Sequence, residues 1–125
     1  MTSPDVRAVV EAYVGASNRN DKPAVLALFA PDAVWHDPVG APPHVGHEGI
    51  GAFFDQARQM ADRLELRVKD VIECGNEAAA LLEIEATIGD GGMILDVVET
   101  FELDDAGRIR LMKAYWDMTR ARPRP

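Results

Sequence analysis

The chain reads as an α+β fold in which helices cover one face of a curved, mainly antiparallel sheet. Two observations predict it. Apolar residues recur at three- and four-residue spacing through the first half of the sequence, and from Leu64 onward they alternate, the pattern of strands with one buried face. Turn signals at 89–92 and at "DDAG" (104–107) add hairpins, and helices followed by hairpin-linked strands make α+β. A curved sheet half closed by helices encloses a concavity.

Each element has its own signal. Ser3 is a good N-cap for the first helix, with Pro4 at its first position and Asp5 in its first turn. Its apolar stripe is Val6, Val9, Val10, Tyr13 and Ser17, while Arg7, Glu11 and Asn18 look outward. A short second helix runs from the cap Asp21 through "KPAVLALFA" and stops before Pro31. A strand-like "AVWHD" (33–37) leads into a loop rich in Pro and Gly. "GHEGIGAFFDQARQMADR" (46–63) then reads as a third helix with Ile50, Phe53, Phe54 and Ala57 inward. "LELRVKDVI" places Leu64, Leu66 and Val68 on one face, and "EAAALLEIEATI" continues the sheet. "MILDVVETFELDDAGRIRLMKAYWDM" supplies two more strands.

With 125 residues, 47% of them hydrophobic and 27% charged, the chain is expected to form a single domain over 1–125, with 118–125 as a flexible tail. A net charge of −8, and a basic run limited to Arg120, Arg122 and Arg124, argue against nucleic acid as a partner. Neither a signal peptide nor a long apolar span stands out, so a cytoplasmic protein without membrane contact is expected. Cys74 is the lone cysteine, which excludes an internal disulfide and reads as a small residue at a strand end.

Three ionisable residues stand out. In "DVVETFEL" the alternation groups Val97, Glu99, Phe101 and Leu103 on one face, opposite Val98, Thr100 and Glu102. Glu99 therefore either meets solvent at a sheet edge or sits among apolar side chains, where desolvation favours its protonated form. Tyr13 lies on the buried stripe of the first helix, where its hydroxyl needs a partner. Asp37 shares strand parity with Trp35 and so either points inward or serves as a turn residue before Pro38. His36, Asp37, His44 and His47 lie close in sequence, but their spacing fits no helical or zinc-finger pattern, and no metal site is expected. Ser3 and Ser17 are a cap and a stripe residue, outside any nucleophile elbow.

The segment "VVEAYVGASNRNDKPAVLALFAPDAVWHDPVG" resembles the N-terminal half of bacterial ketosteroid isomerases, which pair a tyrosine in "VVxxY" with an aspartate in "xEDPVG"; here these are Tyr13 and Asp37. The likeness continues through "GHEGIGAFF", "VETFEL", "DDAGRI" and "MKAYW", nearly the whole chain. A looser form is shared by the wider superfamily of nuclear transport factor two, polyketide cyclases and small epoxide hydrolases.

The resemblance implies a cone-shaped fold with three N-terminal helices around an apolar pocket, and a cofactor-independent steroid Δ5-Δ4 isomerase. Asp37 would move a proton from carbon four to carbon six of a 3-oxo-Δ5-steroid. Tyr13 and a protonated Glu99 would hold the dienolate oxygen. It also implies a small hydrophobic ketone as the bound partner, a homodimer formed through the outer sheet face, and a pocket drawn from Val14, Phe29, Val39, Phe53, Phe54, Met93, Phe101, Met112 and Trp116. The lack of a Gly-rich phosphate loop agrees with a reaction that needs no cofactor. Two positions depart from the family pattern. Glu99 stands where an aspartate is usual, and Phe54 stands where some members carry a tyrosine that hydrogen-bonds the oxyanion tyrosine. Alternatives of other classes are a non-catalytic binder of steroid- or polyketide-like ligands and a polyketide cyclase-like enzyme.

Overall fold

The computed structural model describes residues 5–125. Its first helix, α1 (Val6–Asn18), is capped by Asp5, whose carboxylate accepts from the Ala8 amide at 3.1 Å. Asp5 thus takes the capping position expected of Ser3, and Ser3 and Pro4 lie outside the described residues. Val6, Val10, Tyr13, Ala16 and Ser17 form the buried stripe. Asn18 is exposed, as expected, and its side chain also clamps the first long strand: it donates to the Leu66 carbonyl at 2.9 Å and accepts from the Leu66 amide at 2.8 Å.

Helix α2 (Lys22–Ala27) is shorter than its sequence pattern suggested. Phe29 and Ala30 open β1 (Phe29–His36) instead, because the Leu28 carbonyl accepts from the Ile109 amide at 2.8 Å and Phe29 pairs with Ile109. Tertiary pairing here outweighs helical spacing. Pro31, which cannot donate, falls in the stretch where the register of that pairing shifts. After the two-residue β2 (His44–Val45), α3 (Gly46–Gln59) ends four residues before the predicted boundary. The Asp62 amide is taken by the Thr87 carbonyl at 2.8 Å, which draws the chain into the sheet.

The sheet continues with β3 (Arg63–Cys74), β4 (Glu77–Ile88), β5 (Gly91–Leu103) and β6 (Ile109–Tyr115). Its order is β2-β1-β6-β5-β4-β3; β1 and β6 run parallel and the other pairs antiparallel. A Cβ at Gly92 would collide with the Ala86 carbonyl, and its φ of 141° is open to glycine, so the β4–β5 hairpin depends on this residue. A register shift between Val68 and Asp70 breaks the alternation of β3. Leu66 is buried as expected, Val68 at the shift is 40% exposed, and Val71 beyond it is buried. Residues 118–125, expected as a loose tail, form a turn of 3₁₀ helix (Met118–Arg120) and β7 (Arg122–Pro123), which pairs with Met93 and Ile94 of β5.

The helices lie on the concave face, and the core between them and the sheet gathers Val10, Tyr13, Phe29, Trp35, Ile50, Leu82, Phe101 and Met112. The alternation of β5 holds without a break: Val97, Glu99, Phe101 and Leu103 are buried together. Among the described residues no helix is long and apolar enough to cross a membrane.

Candidate active site

Glu99 enters the concave face because it shares the parity of Phe101 and Leu103, and its side chain is 2% exposed. Its cross-strand neighbours are Ala80 on β4 and Ala114 on β6, whose small side chains leave room for the longer carboxylic acid. One oxygen, Oε1, is buried without a hydrogen-bond partner among the described residues. Burial, and then the nearby Asp37 charge, push its pKa well above the ordinary carboxylate value, which favours the neutral acid.

Asp37 follows β1 directly, and its peptide bond to Pro38 is cis. Because β1 runs parallel to β6, His36 pairs with Lys113, and the Val39 amide donates to the Ala114 carbonyl at 3.0 Å. This brings Asp37 beside the end of β6, where Trp116 Nε1 donates to its Oδ1 at 2.7 Å. Burial raises the Asp37 pKa and the indole hydrogen bond opposes it. The result is a carboxylate of increased basicity with one donor holding its orientation.

Tyr13 approaches from α1, 5% exposed, with its ring edge-on to Phe29, Trp35 and Phe101 at 5.7 to 6.4 Å. Its pKa is raised well above the ordinary value by burial and then by Glu99 and Asp37, with Arg58 pulling the other way. This favours the protonated phenol, the form able to donate a hydrogen bond.

These three side chains line one half-open cavity of about 90 Å³, together with Ser17, Trp35, Phe53, Arg58 and Trp116. Of the expected pocket residues, Phe53 and Trp116 reach it. Phe29, Phe101 and Met112 are fully buried in the core behind it, and Val14 packs against that core. Phe54 is buried beneath the Arg58 guanidinium, 3.6 Å from its ring centre. Met93 sits toward the far end of β5 against Pro123. Val39 lies 46% exposed on an adjoining groove of about 660 Å³, with Leu81, Val98 and Tyr115, that shares Val97 and Trp116 with the cavity. That larger groove contains none of Tyr13, Asp37 and Glu99, so size does not mark the chemistry here. His47 bonds the Phe29 carbonyl through a ring nitrogen at 2.8 Å, and His44 stacks on Phe53. Trp35, Arg58 and Val97 were missed as cavity residues. Strand parity with Asp37 and Glu99 marks Trp35 and Val97, whereas Arg58 carries only the weak signal of lying one turn beyond Phe54.

A family model described as a SnoaL-like domain matches residues 10–112. The chain belongs to this family. A curated relative, the steroid Delta-isomerase of Nocardioides simplex, is 29% identical to this SnoaL-like chain over 114 residues, 91% of each protein. Among solved structures, RV0760c from Mycobacterium tuberculosis aligns over 99% of both chains at 24% identity and a TM-score of 0.88. The epoxide hydrolase/cyclase-like enzyme SalBIII, from pyran ring formation in the polyether salinomycin, aligns over 93% of both at 23% identity and 0.84. These two likenesses establish the SnoaL-like fold, with helices on a curved sheet that does not close.

Proposed function

We propose that the protein is a cofactor-independent isomerase that moves a proton beside a ketone, with 3-oxo-Δ5-steroids as substrates. One observation carries this reading: a carboxylate of raised basicity and two neutral oxygen acids, Asp37 against Tyr13 and Glu99, face the same desolvated cavity. Asp37 takes the proton from carbon four. The electron pair moves toward the ketone, and the dienolate oxygen accepts hydrogen bonds from Tyr13 and Glu99. Asp37 then returns the proton at carbon six. Donors set in place before reaction are each worth roughly 3 kcal/mol to the transition state. The relationship to a steroid Delta-isomerase supports the choice of substrate.

The cavity volume favours a second reading of the substrate. About 90 Å³ is well below the ~300 Å³ at which small-molecule pockets ordinarily begin. A cavity of this size takes a smaller enolisable ketone with less rearrangement than a four-ring steroid. We also propose pairing of two copies through the outer sheet face, where Leu81, Val98, Tyr115 and Val39 give the groove an apolar floor.

The test follows enone absorbance as purified protein meets 5-androstene-3,17-dione, beside Asp37→Asn. Turnover by the wild type and a loss of at least about a hundredfold in the variant support the reading. Turnover of a one- or two-ring β,γ-unsaturated ketone with none of the steroid moves it to the smaller substrate. No turnover of either removes it.

A further inference from the structure

We infer that Arg58 is a positioning residue of this cavity: its guanidinium, fixed beside Ser17 and Tyr13, supplies the positive charge against which an anionic ligand oxygen is held. The inference rests on the proton-transfer reading and deepens it.

Arg58 lies in the last turn of α3, and among the residues lining the cavity it is the single cation. Three hydrogen bonds fix its plane: Nε donates to Asn20 Oδ1 at 2.9 Å, and Nη2 donates to Ser17 Oγ at 2.7 Å and to the Ser17 carbonyl at 3.1 Å. Its face rests on the Phe54 ring, with the guanidinium carbon 3.6 Å from the ring centre. Ser17 stands four residues after Tyr13 on the same buried stripe, so the group that anchors the guanidinium adjoins the phenol. Phe54 occupies the position where the resembled enzymes can carry a tyrosine hydroxyl. In this chain the ring carries a cation instead.

The remaining ionisable groups of the cavity are Tyr13, Asp37 and Glu99, all acids. When the dienolate forms, Asp37 has become protonated and the negative charge has moved to the ligand oxygen, where a fixed cation stabilises it, more strongly in a site shielded from water than in water. The coupling is visible in both partners: Arg58 draws the Tyr13 pKa down against burial, and Tyr13 raises the Arg58 pKa against burial.

The test uses a series of single-ring phenols of graded acidity, with equilenin as the steroid member, bound to wild type, Arg58→Gln, Arg58→Met and Arg58→Lys. Bound-ligand absorbance and fluorescence report the ionised fraction. Loss of charge in Arg58→Gln and Arg58→Met lowers affinity for the most acidic phenols roughly tenfold, leaves the least acidic ones unchanged, and reduces the ionised fraction; Arg58→Lys restores most of both. A purely structural role lowers thermal stability in all three variants without changing the dependence on ligand acidity. That outcome overturns the inference, as does a lysine variant that fails like the neutral ones. Wild type that binds no phenol overturns it too, since no oxyanion is then gathered. A wild type that binds phenols but turns over no ketone removes the isomerase reading while the acidity dependence still decides the role of Arg58.

Discussion

Strands β4 and β5 carry carboxylates on both faces, and the two faces treat them in opposite ways. On the concave side, Glu99 has no cationic partner among the described residues and two alanines for cross-strand neighbours, and its pKa is raised. On the convex side, Glu83, Glu85 and Asp96 lie among Arg67, Arg122 and Arg124, with nitrogen–oxygen distances of 2.8 to 3.5 Å. Asp96 is lowered chiefly by its hydrogen bond from Arg122. For Glu85, desolvation is the largest single influence and raises the pKa, but the hydrogen bonds and charges of Arg124 and Arg67 together outweigh it. One step of strand parity therefore separates a buried carboxyl group whose pKa is raised from paired carboxylates whose pKa values are lowered. The comparison teaches that a carboxylate's role is decided by the face it occupies, since its chemistry is the same on both.

The largest effects belong to the concave face. In the proposed mechanism, replacing Tyr13 by Phe removes one oxyanion donor while keeping the ring among Phe29, Trp35 and Phe101, and kcat should fall by about a hundredfold with KM little changed. Glu99→Gln keeps a donor in the form of an amide and should cost less than Glu99→Ala. Steady-state kinetics on the three variants checks both statements. If Glu99→Ala is as active as wild type, the neutral acid is only filling space.

Trp116→Phe should act next in size, and only on one side of the pH profile. Its indole holds the Asp37 pKa down against burial, so losing the bond raises that pKa further. The protonated, inactive base then persists to higher pH, and the acid limb of kcat/KM moves upward while the plateau is retained. A limb that stays in place means that another group controls it.

Much of this was legible in sequence because it depends on local parity. The alternation of β5 announced the inward face that holds Glu99, and helical spacing placed Tyr13 on the buried stripe of α1. What was not legible came from long-range pairing. Phe29 and Ala30 left the predicted helix because β6 was available to pair with them, and the register shift after Val68 breaks the alternation of β3. Arg58 looks from sequence like an ordinary charge at a helix end. It becomes a cavity residue only because Ser17 and Asn20, some forty residues earlier, present oxygens to it. Distances of that kind carry no sequence period.

Stability should depend on pH with opposite sign on the two faces. The folded pKa of Glu99 lies above its ordinary value of 4.5, so between the two the folded state retains a proton that the unfolded chain has released. Stability accordingly falls as pH rises through that window. Glu99→Gln should flatten the fall and raise Tm relative to wild type toward neutral pH, while Asp37, shifted in the same direction, keeps part of the slope. Thermal melts across the window check it, and parallel curves for the two proteins would show that Glu99 ionises normally in the fold.

The smallest effect is expected on the convex face. Asp96 and Glu85 have lowered pKa values, so their contribution is present above the ordinary carboxylate range and lost as pH falls through the folded values. Arg122 bonds Asp96 through two nitrogens and also reaches Glu83, which ties β7 to β5. These groups are solvated, so Arg122→Ala should lower Tm only slightly at low ionic strength and not measurably in high salt. Turnover should be unchanged, because none of these side chains reaches the cavity. A large, salt-independent loss would instead make the docking of 118–125 a structural requirement of the sheet, with the ion pairs incidental to it.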